Sequence, residues 1–273
     1  MANKTSVTKK TIFTLFLSIL SALMMTVTTQ VISGEAEDKG LKISKDSKEK
    51  DLGWTDQTAS LVMILKNQHG ETSTRKMHLK AIEQHDDGDK SLMVFDSPRD
   101  VKGTSFLSFS HLEGNDDQWL YLPALKRVKR ISSRNKSGSF MGSEFSFEDL
   151  TSFEVEKYTY KYIKDEVIDG ENCWVVIQYP LDKYSGYKKR IAWIDQSEYR
   201  IRKTEFYDRR DTLLKTLSFS KFHQYLNKHW RAEVLEMINH QSGKSTILEY
   251  TSYDIGVGLK EKEFNKNALK RAR

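Results

Sequence analysis

Apolar and polar residues alternate along most of the chain after residue 58. In the segment 75–83, apolar Met77, Leu79 and Ala81 alternate with lysine and histidine. A period of two is typical of β-strands that bury one face. About ten or eleven such segments follow one another, separated by turn sequences, and none shows a helical period. The pattern predicts a mainly β, antiparallel domain over residues 58–273, with one short helix at residues 265–271.

A sheet of this size cannot stay flat. Open sheets of about ten strands curl or split into two layers. A curled sheet with one apolar face encloses an apolar interior, and a long apolar segment can cover its opening. The pattern leaves open whether the sheet closes into a barrel.

One long loop, within residues 115–150, differs from the other connections. It follows a strand that ends before Pro123, and its apolar side chains are flanked by Gly138 and Gly142. Long loops that carry apolar side chains are usually functional or act as lids. Two interpretations remain: a small core beneath the loop, or a gate over a site for an apolar ligand. The candidate ligand-binding residues are Trp119, Tyr121, Leu122, Phe140, Met141, Phe145, Phe147, Tyr158 and Tyr160.

A basic run lies between that strand and the apolar loop. Its five candidate docking residues are Lys126, Arg127, Lys129, Arg130 and Arg134. One interpretation is a solvated strand face, with Val128 and Ile131 pointing inward. The others are contact with anionic lipid headgroups, which contributes ~1 kcal/mol per charge, and docking to an acidic partner.

The first 33 residues have the layout of a secretory signal peptide. Three lysines precede the apolar run Thr11–Val27, and small residues follow it. We predict export and cleavage near Ser33, with Ala36 as the second choice. An uncleaved membrane anchor is the alternative. Residues 34–57 are polar and predict either a flexible arm or a short helix.

Export changes the charge and redox arguments. The formal net charge is +6, and residues 1–33 hold three lysines and no acid, so the exported part carries +3. This modest charge, together with export, makes nucleic acid an unsuitable partner. Cys173 is the single cysteine, so no internal disulfide is expected.

Catalytic and metal-binding motifs are missing from the sequence. The tripeptide Gly243-Lys244-Ser245 resembles the end of a phosphate-binding loop, but Ile238 stands where that loop needs glycine. The seven histidines have no metal-ligand spacing. We therefore predict no enzymatic activity, no cofactor and no metal.

Several segments resemble the LolA-like outer-membrane lipoprotein-sorting protein family, in the branch that shares the domain of a spirochaete periplasmic lipoprotein. They are DDQWLYLPALKRVKRI at 116–131, NKSGSFMGSEFSFEDL at 135–150 and EKYTYKY at 156–162, with further matches at 88–109, 193–209 and 239–246.

The resemblance implies a strongly curved, unclosed β half-barrel whose short helices and loops cover an apolar cavity. It also implies a periplasmic, non-enzymatic carrier that binds lipid or lipoprotein acyl chains, is monomeric, and touches membranes only transiently. Members of this branch work alongside exporters of the resistance-nodulation-division type. The alternative function is therefore an accessory docking subunit of such an exporter, with no cargo of its own.

Overall fold

The computed structural model describes residues 34–271 of the 273-residue chain. The predicted signal peptide, residues 1–33, lies outside the described residues. The described part begins in an α-helix, α1, over residues 34–51. Of the two structures that the sequence left open for this segment, the helix is the one present.

Thirteen antiparallel strands make up half of the described residues. They are β1 (Asp56–Lys66), β2 (Thr72–Ile82), β3 (Lys90–Ser97), β4 (Ser105–Phe109), β5 (Asp117–Leu122), β6 (Arg127–Ile131), β7 (Tyr158–Ile168), β8 (Glu171–Pro180), β9 (Tyr187–Asp195), β10 (Ile201–Asp208), β11 (Leu213–Tyr225), β12 (His229–Asn239) and β13 (Ser245–Ile255). The short helix α2 (Lys266–Arg271) follows. The sequence underestimates the strand number because a strand of only five residues, such as β6, shows too few alternations.

The strands form a single open sheet in the order β6-β5-β4-β3-β2-β1-β13-β12-β11-β10-β9-β8-β7. Except for β6 and β7, strands that are neighbours in sequence pair with each other, and β1 pairs with β13 to join the two halves. Strands β6 and β7 remain as the two edges. The predicted fold, a mainly β, single unclosed antiparallel sheet, is confirmed.

One face of the sheet, here called the inner face, carries the largest apolar cluster. Leu61, Met77, Phe95, Phe106 and Met237 belong to it, and the segment between β6 and β7 packs on it. A second cluster joins Ile43 of α1 to strands β7–β10. Because side chains alternate along a strand, every second residue lies on the inner face, except where a β-bulge shifts the alternation.

The C-terminal segment covers part of the opposite, outer face. Phe264 and Leu269 are buried there against Leu92, Leu107 and Trp119. Among the described helices, none combines the length and the apolar character that crossing a membrane requires.

Candidate functional site

Residues 132–157, here called the plug, connect the two edge strands and cover part of the inner face. The backbone N–H of Phe140 donates to the carbonyl oxygen of Phe145 at 2.8 Å, which closes a tight turn. Met141 and Gly142 have positive φ angles of 51° and 78° in that turn. Glycine adopts such a conformation without steric cost, which explains why the loop carries one there. The turn directs Phe140 and Phe145 into the inner cluster, where they are 0% and 2% exposed.

Aromatic contacts fix the plug against strands β3 and β4. The Phe140 ring lies 5.2 Å from Phe106, 5.8 Å from Phe95 and 5.7 Å from Phe147, measured between centroids. Each buried phenylalanine contributes roughly 1.5–3 kcal/mol relative to an exposed one. The plug therefore supplies part of the hydrophobic core and occupies the inner face.

A buried ion pair ties the plug to strand β11. The Lys215 ammonium lies 2.6 Å from the Asp149 carboxylate, and both side chains are 4% exposed. Lys215 also donates to the backbone oxygen of Glu144 at 3.0 Å. Burial alone would raise the pKa of Asp149, but the charge of Lys215 and hydrogen bonds from Lys215 and Ser146 hold it below its ordinary value.

Hydrogen bonds from the plug and from β9 complete the surroundings of Asp149. The backbone N–H and the hydroxyl of Ser146 donate to its Oδ2 at 2.6 and 2.7 Å. The Tyr187 hydroxyl donates to its Oδ1 at 2.7 Å. The carboxylate thus has a donor on each oxygen, which a buried charge requires.

The neighbouring Glu148 connects the plug to the β8–β9 turn. Its carboxylate accepts from the Ser185 hydroxyl at 2.9 Å and from the Gly186 N–H at 2.8 Å. Burial, and next the charge of Asp149, raise its pKa. A Cβ on Gly186 would lie 2.8 Å from a Glu148 oxygen, so this close approach requires glycine.

Further hydrogen bonds hold the plug to strands on both halves of the sheet. Arg75 of β2 donates to the backbone oxygen of Met141 at 2.5 Å. The N–H of Glu144 donates to Thr246 Oγ1 at 3.0 Å, and Asn239 donates to the Glu144 carboxylate at 2.7 Å. These contacts close the plug over one end of the inner face.

Helix α1 covers the other end. Gly40 packs so closely on β7 that a Cβ would lie 2.7 Å from the backbone nitrogen of Tyr162. Arg231 of β12 binds Asp51 at 2.6 Å. Lys48 joins the helix to the plug, because it donates to the oxygen of Phe153 at 3.1 Å and lies 3.2 Å from Glu154. Burial raises the pKa of Glu154.

Part of the inner face on β11–β13 is only half-buried. Phe219, Leu235 and Tyr250 pack against the inner cluster yet keep contact with solvent. Tyr250 stacks on Tyr253 at 4.7 Å, and Tyr225 meets Tyr253 at 5.6 Å. These apolar and aromatic side chains form a half-buried floor on the inner face.

The structure brings five of the nine predicted ligand-binding residues together. Phe140 and Phe145 lie within the inner cluster, and Leu122, Met141 and Phe147 pack against it.

The other four lie elsewhere. Tyr158 and Tyr160 lie on the inner face near α1. Trp119 and Tyr121 lie on the outer face beside the C-terminal segment. They alternate with Leu120 and Leu122 along β5, so they cannot line the same surface as Phe140.

All five predicted docking residues are exposed, at one edge of the sheet. Arg130 pairs with Asp117, and Arg134 lies over the Tyr184 ring at 5.6 Å. The prediction that Val128 and Ile131 both point inward is wrong. Ile131 lies in the inner cluster and Val128 packs on the outer face, because an odd spacing along a strand separates the faces.

Sequence reasoning missed the residues that hold the plug. Lys215, Leu217 and Phe219 are alternate residues of β11, so they lie on the same face of the sheet. A lysine on an apolar face indicates a buried partner for its charge. The capping pattern of Ser146 and Asp149 also stands in the sequence. Nothing in the sequence indicates that these residues meet across 66 positions.

Comparison with known proteins gives both a family model and similar structures. Residues 87–271 match the model of a family described as an uncharacterized protein. A proposed outer membrane lipoprotein-sorting protein domain from Vibrio parahaemolyticus is 57% identical, with a TM-score of 0.85, and the match covers 86% of this chain and 100% of that one. No curated protein matches the chain.

Two further crystal structures share the fold. A DUF1329 family protein from Desulfovibrio piger is 29% identical with a TM-score of 0.81, over 86% of this chain and 99% of that one. A LolA superfamily protein from Nitrosomonas europaea is 20% identical with a TM-score of 0.67, over 83% and 97% of the two chains. The last likeness concerns the fold alone.

Proposed function

Because the chain belongs to the LolA-like outer-membrane lipoprotein-sorting protein family, we propose that it is a periplasmic, non-enzymatic carrier. It binds lipid or the acyl chains of lipoproteins on the inner face of its open sheet. The observation that carries this proposal is the plug: a separate segment that fills the inner face with phenylalanine rings. The sorting function given for the Vibrio protein supports the choice of cargo.

The size of the hydrophobic effect explains why such a carrier is needed. Each buried methylene contributes ~0.8 kcal/mol, so an acyl chain of roughly sixteen carbons resists leaving a bilayer by on the order of 10 kcal/mol. A protein must offer equivalent apolar surface for the chain to cross an aqueous compartment. The inner face of a curved sheet provides such a surface.

The plug gives a physical route for loading. When an acyl chain displaces Phe140 and Phe145, the inner face exchanges one set of apolar contacts for another, so its burial is preserved. The Asp149–Lys215 pair and the hydrogen bonds of Glu144 hold the plug on the inner face. Loading therefore requires these polar contacts to separate and the cargo to replace the rings.

Native mass spectrometry tests the proposal. The protein is purified without detergent, its bound species are weighed, and the solvent extract is identified. We expect an acylated species bound to the protein, or uptake of added phospholipid when the protein is empty. A protein that is empty and takes up no phospholipid would contradict the carrier function.

A matched pair of variants locates the site. Leu235→Asp places a charge on the half-buried inner floor, so lipid uptake should fall by about tenfold or more. Ile238→Asp makes the same change on the outer face of the same strand, at an exposed position, and should leave uptake unchanged. Equal losses in both variants would show that the inner face is not the site.

The exposed basic edge favours a second candidate function, docking to an inner-membrane exporter. Arg127 and Lys129 form no ion pair with the described residues, so their charges remain available to an acidic partner. Reversing both to glutamate should abolish co-purification with such an exporter and leave lipid uptake unchanged. If the variant still co-purified with the exporter, this patch would not be part of the docking surface.

A further inference from the structure

A groove lies on the outer face, between strands β2–β3 and the C-terminal segment. Its cavity of about 490 Å³ is within the range of small-molecule sites, roughly 300–1,000 Å³. The groove is separate from the inner face, since its strand residues alternate with Met77, Leu79 and Met93 and so lie on the other side of the sheet. The plug does not contribute to its lining.

The wall of the groove is held in place by contacts with the sheet. Phe264 and Leu269 are buried on the outer face. The Ser105 hydroxyl donates to the Leu269 backbone oxygen at 2.7 Å, and Lys80 binds Glu263 at 3.3 Å. These contacts fix the wall of the groove, which lowers the entropic cost of binding a ligand there.

Apolar and cationic side chains occupy different parts of the lining. Leu92, Val94, Phe264 and Ala268 supply apolar surface from the strands and from the wall.

The charges lie nearer the solvent. Lys80 is matched by Glu263, whereas exposed Lys262 and Arg271 also line the groove and form no ion pair with the described residues. The groove therefore presents an apolar floor beside an excess of positive charge.

We propose that this groove is a second ligand site, which takes a single-chain amphiphile with an anionic headgroup. The chain lies against Leu92, Val94 and Phe264, and the headgroup meets Lys262 and Arg271. A fatty acid and a lysophospholipid share this chemistry. The proposal does not depend on whether the inner face carries cargo.

Photo-crosslinking tests the site directly. The purified protein is irradiated with a photoactivatable fatty acid, and the labelled peptides are identified by mass spectrometry. We expect label in the peptides around residues 78–94 and 262–271, with competition by oleate and by lysophosphatidylglycerol. Label confined to inner-face peptides of β11–β13 would overturn the proposal. So would competition by inorganic phosphate as effective as that by oleate.

Two matched pairs of variants separate binding from folding. Ala268→Trp fills the groove and should reduce labelling by about tenfold, whereas Asn267→Trp on the exposed side of α2 should not. Lys262→Glu should weaken binding by roughly fivefold, and Lys270→Glu, outside the lining, should have no effect. Equal effects within both pairs would overturn the assignment.

Discussion

At the scale of single residues, Asp149 and Lys215 place two opposite charges in the apolar interior. Each is satisfied by the other and by donors or acceptors of the plug. Replacing both charges by apolar groups is often neutral, whereas removing one leaves the other buried and unpaired. The pair is therefore a sensitive point at which the plug can be released.

The first prediction concerns this pair. Asp149→Asn should lower the free energy of unfolding by roughly 3–5 kcal/mol at neutral pH, because Lys215 loses its counter-charge. Urea denaturation measures the change. Asp211→Asn, at the half-exposed pair with Lys189, is the matched control and should cost about 0–1 kcal/mol. Equal losses in the two variants would contradict the role given to the buried pair.

The pH dependence of this loss follows from the pKa of Asp149. Since the folded-state pKa lies below the ordinary value of 3.8, the pair stabilises the protein above that value. Its contribution is lost as the pH falls through the folded-state pKa. The difference between the wild type and Asp149→Asn should therefore shrink below about pH 4. A difference that stays constant down to acid unfolding would refute the assignment.

At the scale of elements, helix α1 and the plug close opposite ends of the inner face by different means. The plug uses a buried ion pair and aromatic rings. The helix uses close backbone packing at Gly40, together with the Asp51–Arg231 pair at its other end.

Gly40 gives the second prediction. Gly40→Ala should lower the free energy of unfolding by about 1–3 kcal/mol, because its Cβ would force the helix away from β7. Gly34→Ala, at the first described residue of the same helix, has nothing within 4 Å of the new Cβ, so it should change the free energy of unfolding by no more than about 0.5 kcal/mol. Thermal denaturation compares the stabilities of the two variants. Equal stabilities would disprove the close packing at Gly40.

The strands could be predicted from sequence, whereas their assembly could not. Alternation at residues 75–83 correctly predicts β2 (Thr72–Ile82), because a strand of eleven residues repeats the pattern several times. The predicted terminal helix at residues 265–271 corresponds to α2. The sequence cannot separate Trp119 and Tyr121 from the loop phenylalanines, because alternation shows that two faces exist but not which face meets the plug.

At the scale of the whole molecule, the exposed basic edge is the surface most suited to a membrane. Lys126, Arg127, Lys129 and Arg130 are exposed together on or beside β6. Near an anionic membrane each charge contributes ~1 kcal/mol, and the attraction is screened by salt.

The third prediction follows from this edge. Arg127→Glu combined with Lys129→Glu should reduce binding to phosphatidylglycerol vesicles by at least about tenfold at low salt. The control, Lys45→Glu with Lys50→Glu, makes the same change in net charge on exposed positions of α1. Vesicle co-sedimentation distinguishes the two. Equal losses would mean that net charge, and not this edge, governs membrane contact.

The central claim is that cargo enters only when the plug leaves the inner face. Glu144→Cys with Thr246→Cys introduces a disulfide where the Glu144 N–H already binds Thr246 at 3.0 Å. Ser60→Cys with Ser252→Cys, at directly opposed positions of β1 and β13, joins strands without touching the plug.

The deciding measurement is phospholipid uptake by both variants, oxidised and reduced. We predict that the oxidised plug variant takes up no lipid and that its uptake recovers when the disulfide is reduced. The strand variant should take up lipid in both states. Uptake by the oxidised plug variant equal to that of the wild type would contradict the account, because the inner face would then have loaded while still covered.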